Sequence, residues 1–464
     1  MHKDFSNDAW AECTYNESLL PPHFFRTLIT IALPIILQNL MQSLVNMLDT
    51  IMVGQLGSVA IAAVGLGNQI FFLLNMVLFG ISSGAAIFVA QYWGKKDIAG
   101  IRQTLGLALT LATVVATIFT VAAVFAPYFL IGLYSKDPAV VESGGRYLRI
   151  VALSYPVTAI SFVFAQGFRS TEHVRLPMVA TLISLVVNGI LNYLLIFGIG
   201  FFPELGVLGA AMATVVSRAV EFAILVTVGY RKNYEIAARL KEFFSFRIDF
   251  VARYIRIALP VIINETLWGL GITLQNSIFA HAGTDAISAM NICSTISQLT
   301  WIFFIGTGTA AAIIIGKLIG AGQREQAIKT ANTFGWFMPA LAAVVALTLI
   351  PLSQLLPHFF KVEPEILQQA QFMLMALMVS YPFKSFNMCM VVGVCRSGGD
   401  TIYAALMDVL ALWIVALPLG YFTALVFGLE PWIVYTAILA EEPIKATFGL
   451  IRLRSKKWLH DVTE

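Results

Sequence analysis

Asn39, Gln42, Asn46 and Asp49 follow one another at steps of three, four and three inside the first long apolar run, Leu33 to Gly54. In a helix this spacing places all four polar side chains on one face. The run has about the 20 residues needed to cross a bilayer. A carboxylate inside hydrocarbon is costly, so by default it faces a cavity or a partner. The chemistry open to it is reversible neutralisation by a proton or a metal cation. Asp49 is therefore read as the ion-coupling group of a secondary transporter, against the blander reading of a structural carboxylate capped by amides.

Other polar residues inside apolar runs extend the inventory. Thr181, Ser184, Asn188 and Asn192 form a second single-face stripe, suited to coordinating an ion or water, or simply to joining helices. Glu265 lies beside Asn264, with Trp268 three residues on and Gln275 and Asn276 beyond. A carboxylate next to an aromatic suits a cationic, amphipathic ligand through charge and cation–π attraction. Gln42, Asn46 and Gln275 are expected to join Glu265 and Trp268 in contacting substrate. Arg218 with Glu221, and Glu441 with Lys445, stand three and four apart and can neutralise one another. Lys384 and Asp408 are opposite charges that either pair or gate. Pro34 and Pro260 each remove a backbone hydrogen bond and mark a kink or a hinge.

No His-Glu-x-x-His helix, Gly-x-x-x-x-Gly-Lys-Ser/Thr loop or Gly-x-Ser-x-Gly elbow occurs. His23, His173 and His281 are scattered and suggest no metal site. The expectation is a protein that is not an enzyme and holds no cofactor. Without a nucleotide loop, uphill transport must draw on an ion gradient or an unseen partner.

The elements that must position these residues are membrane helices. Of 464 residues 58% are hydrophobic and only 12% charged, against about 25% charged in soluble chains. This excludes a soluble globular enzyme and indicates an all-α polytopic membrane protein. Nothing in the net charge of +3 points to nucleic acid. Twelve spans are expected, starting near Arg26, Val59, Ile101, Val140, Val174 and Leu205, then near Val251, Asp285, Ala327, Pro364, Thr401 and Pro431. Basic residues fill alternate loops: Lys95, Lys96 and Arg102; Arg169 and Arg175; Arg231 to Arg253, including Arg247; Lys317 to Lys329; Arg396; and Arg452 to Lys457. The other loops hold little beyond Lys136 and Lys361. By the positive-inside rule both termini are cytoplasmic. The polar start shows no cleavable leader, so the first helix is expected to serve as its own insertion signal. Cys13, Cys293, Cys389 and Cys395 are too few for a disulfide framework.

The chain also repeats itself. Ile31-Ala32-Leu33-Pro34 returns as Ile257-Ala258-Leu259-Pro260, an offset of 226 (260 less 34). Gly57 and Gly283, Gly80 and Gly306, Gly94 and Gly320, and Tyr155-Pro156 and Tyr381-Pro382 keep the same offset. An even number of helices per copy makes this a parallel repeat about an axis along the membrane normal, common in secondary transporters. The division expected is a tail at 1–25, an N-lobe at 26–229, a cytoplasmic loop at 230–250 containing an amphipathic stretch from Tyr234 to Phe244, a C-lobe at 251–455 and a tail at 456–464.

From Arg26 to Trp458 the chain resembles the multidrug and toxic compound extrusion (MATE) family. The resemblance is carried by Pro34 with Asp49-Thr50 and Gly54, Gly94-Lys95-Lys96-Asp97, Asn188 to Gly198, Gly209-Ala210-Ala211 with Ala213-Thr214, Pro260 to Gly269, and Arg396-Ser397-Gly398-Gly399-Asp400-Thr401. It implies a two-lobe, twelve-helix fold; the lack of a cleavable leader fits a bacterial inner membrane, and a monomer is expected. The resemblance implies export of small organic cations or amphipathic drugs in exchange for H+ or Na+. It also implies that Asp49 is a cation or proton site, with Asn188, Asn192 and Thr214 associated. One branch carries a carboxylate where Asn192 stands; some relatives place a seventh-helix Glu where Trp268 stands, and others an acid near Lys384. A lipid-linked sugar flippase of the same superfamily is the nearest rival and should show a strongly cationic cavity. A membrane-embedded enzyme or receptor would need a catalytic cluster or a large external domain, neither of which is visible.

Overall fold

Backbone groups in lipid must be satisfied within their own segment, and apolar runs of this length do so as helices. The computed structural model describes residues 24–464 except 201, 245–247 and 354–362. Most of the amino-terminal tail, with Cys13 and His23, and also Arg247 and Lys361, lie outside the described residues. In the first half, helices α1 to α6 run Phe24–Gly54, Ser58–Lys95, Ile98–Phe125, Pro138–Ser170, Arg175–Phe197 and Val207–Arg231. In the second, α7 to α11 run Ile248–Ala282, Thr284–Gly320, Arg324–Ser353, Pro364–Arg396 and Thr401–Val426. Among the described residues these eleven are long and apolar enough to cross a membrane. The twelfth, α12, is broken into Pro431–Leu439 and Glu441–Ser455. Pro443 explains the break: its nitrogen has no hydrogen to offer the carbonyl one turn back.

The first part of each half's first helix packs on the other half. Phe24, Leu28, Ile31 and Ile35 of α1 are buried in a C-lobe cluster with Ile313, Ile314 and Phe334. Tyr254, Ala258 and Val261 of α7 are buried in the N-lobe cluster with Ile81, Ala85 and Phe88. The cytoplasmic ends of α2 and α8 then cross almost backbone to backbone. A Cβ on Gly94 would sit 2.1 Å from the Lys317 carbonyl oxygen, and one on Gly320 would sit 1.8 Å from that of Gln91. The repeated glycine pair is thus required by close approach.

The inter-lobe polar contacts gather on this same basic side. Gln91 Nε2 donates to the carbonyls of Ser397 and His460 (2.8 and 3.1 Å), and its Oε1 accepts from Val462 N at 2.8 Å. Lys317 meets Glu172 at 2.7 Å, and Lys95 meets Asp461 at 3.0 Å. The carboxy-terminal tail is part of the seal. Trp458 is fully buried, His460 N donates to Gly398 O at 2.9 Å, and Val462 packs into the N-lobe cluster. This arrangement closes the cytoplasmic side.

The loop between the lobes packs on the N-lobe. Ile236, Ala238 and Phe243 are buried there, and only Leu240–Phe243 of the amphipathic stretch is helical. Cys293, Cys389 and Cys395 are free and buried. Pro34 and Pro260 lie inside unbroken helices.

Candidate functional site

Helices α1 and α5 run in the same direction and are joined twice on facing stripes. Near the outer end, Asn192 Nδ2 donates to Asp49 Oδ1 at 2.6 Å. Near the inner end, Gln38 Nε2 donates to Thr181 Oγ1 at 2.8 Å. Both pairs are 143 residues apart, and the two joints are eleven residues apart along each helix. Eleven residues make about three turns, so the same faces meet again roughly 16 Å along the helix.

The outer joint is a carboxylate held by amides. Asn188, turned so that its nitrogen faces the acid, donates to both oxygens of Asp49 at 3.1 Å. Asn188 and Asn192 are buried, and Asn192 Oδ1 has no hydrogen-bond partner among the described residues. Two neutral donors orient Asp49 without cancelling its charge. A charge held this way can be taken up by a monovalent cation or by a proton on the acid itself. Thr214 lines the same cavity but gives its proton to Ala210 O at 3.0 Å, and Gln42 bonds Asn46 at 2.9 Å along the wall.

The inner joint continues into a charged chain. Thr181 Oγ1 donates to Glu221 Oε1 at 2.7 Å, and Arg218 Nη1 donates to Glu221 Oε2 at 2.9 Å. Arg169 Nη2 donates to Gln38 Oε1 at 2.9 Å and Nη1 to Gln166 Oε1 at 3.3 Å. These groups and the Asp49 site line one cavity of about 710 Å³, formed mainly by α1, α2, α4, α5 and α6, with Thr309, Val392 and Arg396 from the C-lobe. A cavity of this size, apolar with a few convergent polar groups, is the expected form of a small-molecule site.

Several expectations change here. Glu265, Trp268 and Gln275 are absent from the cavity lining. Glu265 is ion-paired with Arg396 at 2.6 Å, Trp268 stacks on Trp301 with centroids 6.4 Å apart, and Gln275 is buried elsewhere. A carboxylate already matched by a guanidinium has no excess charge for a cationic ligand. Lys384 does not pair with Asp408. Asp408 binds Lys445 at 2.9 Å, which also binds Glu441 at 3.1 Å, while Lys384 approaches Glu442 at 4.0 Å. The Arg218–Glu221 pair forms as spaced, at 2.9 Å. Arg169 and Arg396, placed in loops by their charge, instead reach the cavity. Both stand within a turn of the end of a helix that runs on beyond bilayer length.

Outside the membrane, the His173 ring meets Glu235 at 3.2 Å, and this hydrogen bond holds the Glu235 carboxyl below the usual carboxylate range.

A family model described as MatE matches residues 34–194 and 260–422. The two blocks start 226 residues apart (260 less 34), at the two helix prolines. The chain is 26% identical over 439 residues to NorM of Thermotoga maritima, described as a probable multidrug resistance protein, covering 94% of each chain. It is 24% identical over 425 residues to YoeA of Bacillus subtilis, described in the same words, covering 90% of this chain and 92% of that one. Among solved structures, the Vibrio cholerae MATE transporter VcmN superposes with a TM-score of 0.84 at 19% identity, over 93% of this chain and 96% of that one. A MOP superfamily transporter from Pyrococcus furiosus, whose reversed pocket polarity is described as suggesting a different function, superposes at 0.81 and 19% identity, over 93% and 95%.

Proposed function

The chain belongs to the MatE family, a family of multi-pass membrane transporters rather than enzymes, and from that premise we propose that it is a secondary antiporter. In this reading it exports amphipathic drugs and toxic organic compounds, cationic ones among them, in exchange for H+ or Na+. The observation that carries it is Asp49, a carboxylate on the cavity wall held by two neutral amides. The multidrug resistance names of NorM and YoeA support the substrate class.

The coupling follows from charge. An ionised acid at this depth is costly unless something neutralises it, and a proton, a sodium ion or a drug cation can each do so. Binding one disfavours the next, which makes the exchange obligatory. The lobes rock about the cavity, and the cytoplasmic seal at Gly94 and Gly320 opens as the outer side closes. Moving such an equilibrium from 1:99 to 99:1 needs about 5.5 kcal/mol of differential affinity. The sugar flippase demands a cationic cavity throughout. Here Arg218 and Arg396 are matched by Glu221 and Glu265, and Arg169, bonded only to amides, shares the space with the acid Asp49, so the cavity is not cationic throughout and drug export is the better fit. In proteoliposomes, Asp49→Asn should abolish dye efflux driven by an imposed pH or Na+ gradient. Efflux retained in that variant would remove the coupling role.

A further inference from the structure

The mainly apolar cavity carries polar groups at both joints, and their charges differ. At its outer joint stands a carboxylate with no guanidinium bonded to it; at its inner joint stand two guanidiniums and one carboxylate, which bonds only one of them. Glu221 gives one oxygen to Arg218 and the other to Thr181, so Arg169 is left with Gln38 and Gln166, both neutral. Arg169 Nε has no hydrogen-bond partner among the described residues. The third arginine, Arg396, is already matched by Glu265 and touches Ser83 at 3.5 Å. Counting the inner cluster as Arg169, Arg218 and Glu221 leaves one positive charge on the wall of a membrane cavity.

An acid in that position could be relieved by a proton. A guanidinium cannot, because it stays charged at any pH the protein meets. Relief has to come from an anion, and the planar fork of Arg is shaped to take a carboxylate or phosphate through two hydrogen bonds. We propose that the inner end of the cavity, built on Arg169 with Arg218 beside it, is an anion-binding subsite, and that preferred substrates carry a carboxylate, sulfonate or phosphate. A substrate that also carries an amine would reach Asp49 with its other end. Gln38, which accepts from Arg169, stands eleven residues, or about 16 Å, from Asp49 along α1. The inference rests on the cavity being the drug site.

A matched pair of dyes tests it: a rhodamine with a free benzoate, which is zwitterionic, and the methyl ester of the same dye, which is only cationic. Binding is read by fluorescence anisotropy on the purified full-length chain. A charge-assisted hydrogen bond open only to the free acid should make it bind about tenfold more tightly than the ester. Arg169→Gln should bring that ratio near one, and Arg169→Lys, which keeps a positive charge, should retain a several-fold preference and show that the site survives substitution. A ratio near one in the unaltered chain, or a tenfold ratio kept by Arg169→Gln, overturns the subsite while leaving the drug cavity in place. Failure of the folded chain to bind either dye overturns both.

Discussion

The two lobes descend from one repeated plan, yet they hold their charges in opposite ways. In the N-lobe, Asp49 is oriented by Asn188 and Asn192 and keeps its charge available. In the C-lobe, Asp408, Glu441 and Glu442 are met by Lys445 and Lys384 from the same lobe. The offset of 226 residues (260 less 34) makes the divergence specific. It carries Asp49 onto Gln275, Asn188 onto Ile414 and Asn192 onto Pro418. The second copy has neither the acid nor its two amides at these positions. Its own first-helix acid, Glu265, stands where the N-lobe has Asn39 and is held by Arg396. A duplicated scaffold thus holds a carboxylate among neutral donors in one half and carboxylates tied to lysines in the other. Fixed ion pairs stiffen a lobe, whereas a carboxylate held by neutral donors can respond to what binds it.

Moving the acid between lobes is the harshest way to break this comparison. The double variant Asp49→Asn with Gln275→Asp restores the number of carboxylates. It should remain without gradient-driven efflux, because Ile414 and Pro418 offer no amide; recovered efflux would show that the lobes are equivalent. Next in size, Lys445→Met leaves buried carboxylates without their cation and should destabilise the fold by about 3–5 kcal/mol. It should nevertheless leave the H+ or Na+ dependence of dye binding unaltered, and thermal unfolding with a binding titration checks both. Trp458→Ala empties a fully buried site and should cost about 3 kcal/mol. It should also raise the labelling of a cysteine introduced on the cytoplasmic face beside Gly320, since the tail helps hold the lobes together there. The smallest effect expected is at Glu235→Gln, below about 1 kcal/mol for a partly exposed pair. Glu235 has its pKa lowered in the fold by His173, so its contribution is present above the ordinary carboxylate range and is lost as pH falls through the folded value. The difference in unfolding midpoint from the unaltered chain should therefore be present at neutral pH and shrink as pH falls below the ordinary carboxylate range.

What the sequence makes legible is what depends on local period. Each of α1 to α12 begins within three residues of its expected start. The two stripes, Gln42 to Asp49 and Thr181 to Asn192, face each other because helical spacing fixes the face along with the helix. The break at Ala440 is not visible in the apolar run, although Pro443 is a sufficient cause. Partner choice is the other loss. Glu265 with Arg396 and Lys445 with Asp408 join residues 131 and 37 positions apart (396 less 265, 445 less 408), and such pairs are set by how helices pack. Arg169 and Arg396 read as loop charges because long helices carry their last turn past the expected bilayer edge. A basic residue there looks the same whether it points to water outside or to water inside.

The central claim is that Asp49 is where cation and drug exclude one another. It is tested most directly by the affinity of a cationic dye measured against pH and against Na+ concentration, in the unaltered chain and in Asp49→Asn. The unaltered chain should lose dye affinity as H+ or Na+ rises, while Asp49→Asn should bind the dye weakly and with no dependence on either ion. An Asp49→Asn variant whose dye affinity still falls with the same ion, along the same curve, would contradict the account.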